Sequence, residues 1–203
     1  SNGAVTSITV THAGSGYSAA PTITINAPPP LATDIAGIQG ENVVLNADNG
    51  FTQSGAITAT SLDVTNTVAG NVVLDQNNDV ATVVITNAVG DVTYTTISSS
   101  ITDINGIQGV NIALNTDNGV SQSAAITATN SLTVTNAVSG NVVLDQNNDV
   151  VTVAIANAVG DVTYNTNRAT TTDIAGIQGV NVDLDSDDGF TQSSAITPTS
   201  PDS

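Results

Sequence analysis

A seven-residue motif occurs three times along this chain and limits what it can fold into. Asp34–Gly40 reads Asp-Ile-Ala-Gly-Ile-Gln-Gly, and near-identical copies stand at 103–109 and 173–179. A second segment, Gly70–Val80, recurs unchanged at Gly140–Val150. Repetition at a fixed period is typical of solenoids and related architectures, in which each unit buries its apolar face against its neighbours.

A finer period lies inside the large one. An Asn or Asp is followed by Val or Ile at the next position and by Leu or Tyr two positions after that, and this alternation is the strand period of two. The pattern predicts coils of about 20 residues, with longer coils of about 30 residues, whose inward side chains form columns of Val/Ile and Leu/Tyr. It begins at Asn42, Asn71, Asp91, Asn111, Asn141, Asp161 and Asn181, and the steps from Asn42 and Asn111 are the long ones.

These features predict an all-β fold, a right-handed parallel β-helix or β-solenoid. Val, Ile, Thr and Ala suit strands, whereas lysine is absent and Glu41 is the only glutamate. Stacked coils would pair their strands in parallel, about 4.8 Å apart. A β-propeller needs four antiparallel strands per blade, and an antiparallel sandwich needs no such short recurrence, so both are weaker alternatives.

The long steps and the turns carry further expectations. The segments Gln53–Ile57, Gln122–Ile126 and Gln192–Ile196 are expected to protrude as loops or short hairpins. The Asn and Asp residues that begin each motif are expected to stack at a corner and bond to backbone groups there. An extra residue near Asn130, expected in a loop, explains why the second copy of the large repeat is one position longer than the first.

The chain divides into two regions on its composition. Residues 1–33 are rich in Pro, Gly and Ser and are predicted to be a cap, a linker or a stacking segment. Residues 34–203 are predicted to be the solenoid, in repeats 34–102, 103–172 and a partial 173–203.

The N-terminal region also resembles an internal part of the solenoid. Ser7–Ala13 parallels Ser131–Ala137, which is the part of the repeat that the third copy lacks after Ile196. The N-terminus of one copy could therefore complete the last coil of another, either in a tandem array or in a fibre that polymerises head to tail.

Three stretches resemble the repeats of large haemagglutinin-type and autotransporter adhesins of Gram-negative bacteria. They are Gly-Asn-Val-Val-Leu followed by Asn-Asn-Asp-Val (70–80, 140–150), Thr-Gln-Ser-Gly-Ala-Ile-Thr-Ala (52–59) and Ala-Val-Gly-Asp-Val-Thr-Tyr (88–94, 158–164). The resemblance implies a parallel β-helix exported to the bacterial cell surface, where it serves adhesion or scaffolding. Expected partners are the chain itself and glycans or proteins of a host or surface.

The charge excludes other partners. Arg168 is the only lysine or arginine against 18 acidic residues, and the net charge is −17. Such a surface repels phosphate backbones and anionic headgroups, so neither nucleic-acid binding nor membrane insertion is expected. With no cysteine, there are no disulfides and no thiolate metal sites.

Few residues could support catalysis, and no enzymatic activity is expected. His12 is the only histidine, so any Ser/His/Asp arrangement would need it, and Arg168 is the only base for a polysaccharide lyase. A carbohydrate-active β-helix is thus a minor alternative. Ice binding is another, because Thr-x-Thr occurs several times but not at a fixed phase on every coil.

Calcium is the favoured ligand of any metal site. Asn46–Gly50, Asn115–Gly119 and Asp185–Gly189 are equivalent segments with clustered oxygen ligands and a glycine, and Asp75–Asp79 and Asp145–Asp149 are similar. Repulsion among carboxylates makes the third segment the best candidate. Its predicted ligands are Asp185, Asp187 and Asp188, and the alternative is an ordinary polar turn.

Overall fold

The computed structural model describes residues 31–157 and 159–199, and these contain strands but no helix. Eleven strands within this part of the chain pair in parallel and wind into a β-solenoid of about eight turns. The predicted all-β solenoid is therefore confirmed. The strands are β1 (Thr33–Ala47), β2 (Phe51–Asn66), β3 (Val72–Thr86), β4 (Val92–Thr96), β5 (Thr102–Thr116), β6 (Val120–Asn136), β7 (Val142–Ala156), β8 (Val162–Thr166), β9 (Thr172–Gly179), β10 (Val182–Ser186) and β11 (Phe190–Pro198).

Stacked partners define the coil length directly. Each member of one column pairs with the next, at intervals of about 20 residues throughout. The predicted longer coils are therefore wrong. Nine levels at the ordinary spacing of paired strands make this stack roughly 38 Å long. The column consists of Thr33, Phe51, Val72, Val92, Ile112, Leu132, Val153, Ile174 and Gln192.

The long step from Asn42 to Asn71 spans one and a half coils rather than one long coil. Val43, next to Asn42, pairs with Leu62 and not with Val72. Val72 instead continues the column of Thr33, which lies about half a coil before Val43 in β1. The motif therefore reappears on the other side of the solenoid.

The large repeat, like the step from Asn42 to Asn71, is half a coil longer than a whole number of coils. Val142 is the repeat equivalent of Val72, yet it pairs with Val120 and Val162 and does not join the column of Val72. A repeat of about 70 residues thus spans about three and a half coils. Successive copies consequently present the same sequence on alternate sides of the solenoid.

The interior is a continuous aliphatic core. In the inner coils, both apolar positions of the fine motif are buried, as predicted from the strand period. At about 25 cal/mol per Å² of apolar surface, each coil contributes a similar increment of stability. In the last coil, Val182 and Leu184 are only half-buried, because no strand among the described residues stacks on them. The buried pairs are Val72 and Leu74, Val92 and Tyr94, Ile112 and Leu114, Val142 and Leu144, and Val162 and Tyr164.

The segments expected to be loops or hairpins lie inside strands, so that prediction is wrong. Gln53–Ile57 belongs to β2, Gln122–Ile126 to β6 and Gln192–Ile196 to β11. Their small residues accommodate a shift of register between neighbouring strands, which a bulge produces without leaving the sheet. The extra residue Asn130 likewise lies in β6, where the pairing of β6 with β7 shifts register.

Glycine turns join the coils. Gly119 follows β5 with a φ of 80°, and a side chain there would collide with the Asn141 carbonyl of the next coil. Its equivalent, Gly189, has a φ of 82° but open space around it. Both turns need the left-handed backbone that glycine adopts readily. Only at the inner turn, Gly119, would a side chain also collide with the next coil.

Candidate functional site

The residues considered for catalysis are not assembled into a site in the part of the chain that the structure describes. His12, together with the predicted cap, linker or stacking segment up to residue 30, lies outside it. The Nε of Arg168 lies 3.1 Å from the Asp149 carboxylate, and its Nη1 donates to the Thr171 carbonyl. Arg168 is thus held in an exposed ion pair.

The three candidate calcium ligands lie at the last coil. Asp185 is in β10, Asp187 and Asp188 are in the following turn, and all three are exposed. Across residues 31–157 and 159–199, no three His, Cys, Asp or Glu side chains are grouped to hold a metal ion. Calcium binding stays a prediction, without support from this geometry.

Six of the seven Asn and Asp residues that begin the motif stack as predicted, in two groups of three on different sides of the solenoid. The Asp91 backbone N–H donates to the Asn71 side chain (3.0 Å), and the Asn111 N–H donates to the Asp91 carboxylate (3.1 Å). Asp161 and Asn181 make the same pair of bonds in the second copy. These side chains satisfy backbone donors at the turns.

A second polar stack is buried, and sequence reasoning missed it. The Asn66 amide donates to the Asn87 side chain (2.9 Å) and to the Gly70 carbonyl, and the Asn87 amide donates to the Asp91 carbonyl (2.9 Å). Asn136 and its partner one coil later repeat the arrangement. Buried amides of this kind stabilise a turn only when their bonds are satisfied, as these are. The sequence does contain a signal for this stack, because Asn66 precedes Gly70 by four residues and Asn136 precedes the equivalent glycine by the same distance.

A third polar feature, which we call the amide clamp, is a Gln of one coil bonded to an Asn of the next. The Gln53 Nε2 donates to the Asn78 Oδ1 (2.5 Å), and the Asn78 Nδ2 donates back to the Gln53 Oε1 (3.2 Å). The Asn78 Oδ1 also accepts the Ile57 backbone N–H (2.8 Å). Gln122 and Asn148 form the equivalent clamp in the second copy.

The third copy has only half of this clamp. Gln53 and Gln122 are 8% and 7% exposed, whereas their equivalent Gln192 is exposed. Within the described residues the Gln192 side chain has no hydrogen-bond partner, because no asparagine from a following coil reaches it. The Ile196 N–H, equivalent to that of Ile57, likewise faces the open side of β11.

The outer surface carries two equivalent shallow grooves, which we call the outer grooves. One, of about 380 Å³, is lined by Thr135, Gln178, Thr197 and small residues between them. The other, of about 250 Å³, is lined by Thr86, Gln108, Thr127 and their small neighbours, and lies one repeat earlier. Both offer hydroxyl and amide groups on an open floor. Small side chains at the bulges leave this space.

The central outward column does not form the regular row of threonines that ice binding requires. Along one outward column the partners are Val73, Thr93, Ala113, Thr133 and Ala154, so threonine alternates with apolar residues. The structure gives ice binding no support.

Two tyrosine hydroxyls are buried in the core without a hydrogen-bond partner, those of Tyr94 and Tyr164. Burial is the largest cause of a raised pKa in both, and it raises the pKa of Tyr164 to about 12 and that of Tyr94 further. A buried hydroxyl that stays protonated at neutral pH and has no partner of good hydrogen-bond geometry serves as a packing group. Both tyrosines are therefore core residues rather than sugar-stacking platforms.

No family model, curated protein or solved structure matches this chain. A helix long and apolar enough to cross a membrane is not found among the described residues. The resemblance to adhesin repeats therefore rests on the sequence motifs alone.

Proposed function

We propose that the chain is a structural and adhesive β-solenoid segment of an extracellular bacterial surface protein. The observation that carries this proposal is the uninterrupted stack of about eight turns, with aliphatic columns inside and buried amides bonded from coil to coil. Each coil covers the one before it, so the body keeps its shape without disulfides. Such a body suits a stiff spacer that displays a binding surface.

The outer grooves are the proposed adhesive surface. Their threonine hydroxyls and glutamine amides can both donate and accept hydrogen bonds, as recognition of a glycan or an extended peptide requires. Open grooves without charged lining residues suit a neutral chain-like ligand.

A binding experiment tests whether the outer grooves are the adhesive surface. Immobilised polysaccharides and extracellular-matrix proteins are presented to the full chain, and binding is measured by surface plasmon resonance. Ala195→Phe should fill one groove and weaken binding, whereas Asp63→Asn, which lies outside both grooves, should not. Binding that survives filling of both grooves (Ala195→Phe with Ala125→Phe) removes the grooves from the proposal, and no binding to any surface removes adhesion.

Location is tested separately. Brief protease treatment of intact producing cells, followed by mass spectrometry of the released peptides, should recover peptides of this chain. Recovery only after cell lysis would contradict a surface location.

A second function, self-assembly into a filament, is favoured by the ends of the described solenoid. Leu184 and Phe190 are half-buried at the last coil, whereas their equivalents Leu114 and Phe51 are buried. An uncovered strand edge with apolar neighbours is a template for pairing with another chain. Negative-stain electron microscopy of the purified chain should show fibres with an axial repeat of one subunit. Dispersed short rods would contradict this function.

A further inference from the structure

We propose that the last coil binds residues 1–30 of a second copy of this chain. The surface involved, which we call the C-terminal edge, consists of Val182, Leu184, Phe190, Gln192 and Ile196. This inference rests on the filament function proposed above and names the surface and the segment through which copies would join.

The first argument is the open amide clamp. In two copies the glutamine is buried and bonded to an asparagine of the following coil, at 2.5 Å for Gln53 and 2.6 Å for Gln122. In the third copy the same side chain, Gln192, is exposed. The same molecule thus shows both the filled and the open state of one recognition element. The missing partner is a strand with a hydrogen-bonding side chain at the position of Asn78 and Asn148.

The second argument is the sequence of the segment that would bind. In the second copy, strand β6 continues from the equivalent of Ile196 through Ser131 to Asn136, and Leu132 and Val134 there cover Ile112 and Leu114. Ser7–Ala13 repeats that sequence pattern.

The same stacking assigns positions to the binding segment. Ile8 and Val10 take the places of Leu132 and Val134 and would therefore cover Val182 and Leu184. Thr22–Asn26 follows with a strand-like alternation, and in the same register Thr24 takes the place of Asn148, where its hydroxyl could bond to Gln192.

The third argument is charge. Every one of the 18 acidic residues lies at or after Asp34, so residues 1–30 carry no carboxylate side chain. The last coil and its turn carry Asp183, Asp185, Asp187 and Asp188. Most of the chain would be repelled by this edge, because like charges in close contact are unfavourable. The uncharged N-terminal segment is the part of a second copy that can approach it.

Pro198 limits the contact. It replaces the alanines at 59 and 128 and has no backbone N–H to offer to a following strand. The edge therefore accepts a strand along Phe190–Ile196, and Pro198 ends the pairing there.

Sedimentation velocity of the full chain, over concentrations up to the millimolar range, tests the proposal. Gln192→Ala and Val10→Asp should each weaken self-association about tenfold or more. The matched controls Ser193→Ala and Thr9→Asn add no charge and change neighbouring residues that, in the proposed pairing, face the opposite side, and they should leave it within about twofold. Circular dichroism of each variant confirms that the solenoid remains folded.

The possible results distinguish a failure of the C-terminal edge as the binding surface from a failure of the filament function. If the native chain associates and Gln192→Ala and Val10→Asp associate equally well, the C-terminal edge is not the binding surface, although the filament function stands. If the native chain stays monomeric at every concentration, both are overturned. If the controls weaken association as strongly as the test variants, specific docking at this edge is overturned.

Discussion

The coil that begins at Ile112 and the coil that begins at Val182 are equivalent parts of the repeat, with related sequences but different surroundings. In the first, Leu114 is buried and Gln122 is clamped, because another coil lies on top. In the second, the equivalent Leu184 is half-buried and Gln192 is exposed. The position of a residue in its strand therefore sets which way its side chain points. The neighbouring coil sets how much that side chain contributes to stability. Paired substitutions at equivalent positions separate these two effects.

The largest difference is expected for the aliphatic column. Leu114→Ala should lower the free energy of unfolding by about 2–5 kcal/mol, because it leaves a cavity in a packed core. Leu184→Ala should cost about 1 kcal/mol, since less apolar surface is lost. Urea unfolding followed by circular dichroism measures both. Equal losses would mean that the last coil is covered in solution.

The second-largest difference in stability is expected between the two equivalent glycine turns. Gly119→Ala should cost about 3 kcal/mol, because the new methyl group meets the Asn141 carbonyl in a backbone that already disfavours alanine. Gly189→Ala should cost only about 1 kcal/mol, for the backbone alone. Thermal unfolding midpoints of the two variants test this order. A larger loss for Gly189→Ala would contradict the stacking at this turn.

The amide clamp should give a smaller contrast. Gln122→Ala should cost about 1–3 kcal/mol, because Asn148 and the Gln146 backbone N–H lose a buried partner. Gln192→Ala should change the free energy of unfolding by less than about 0.5 kcal/mol. Denaturant titration at a protein concentration low enough to prevent association provides the measurement. A stability loss in Gln192→Ala under those conditions would show that its amide already has a partner.

The buried tyrosines give the smallest expected effect. In the folded chain their pKa lies above the ordinary value near 10, so the folded state keeps its proton longer than the unfolded state. Stability is therefore complete below about pH 10 and falls as the pH rises above it. Tyr164→Phe and Tyr94→Phe should each weaken this fall, and each should gain up to about 1 kcal/mol at pH 7 because an unpaired hydroxyl is removed.

Unfolding midpoints between pH 7 and 11 measure the tyrosine effect. The native chain and both phenylalanine variants should be compared in the same buffers. An unchanged pH dependence in the variants would assign the alkaline loss to other groups.

The fold could be predicted because the repeat and the strand period are properties of the linear sequence. The spacing of Val72, Val92 and Ile112 alone predicts three stacked levels, and the structure places them so. The long step from Asn42 to Asn71 could not be resolved in this way. One long coil and one and a half ordinary coils give the same spacing, and only the pairing of Val43 with Leu62 separates them.

The polar interior could not be predicted for a related reason. Asn78 and Asn148 lie within aspartate-rich segments that suggest a turn or a calcium loop, yet both are fully buried. Their burial depends on a glutamine from the preceding coil, which meets them only after the coils stack. The sequence pattern likewise predicts loops or hairpins, not buried strands, around Gln53 and Gln122. A local pattern cannot show a polar partner that the next turn of the chain supplies.

The half-coil remainder of each repeat gives the molecule two working sides. The outer groove beside Gln108 and its equivalent beside Gln178 differ by one repeat, so they lie on different columns of paired residues, about half a coil apart. If these grooves bind ligands as proposed, an array of such repeats would present them on two sides and could join two separate surfaces.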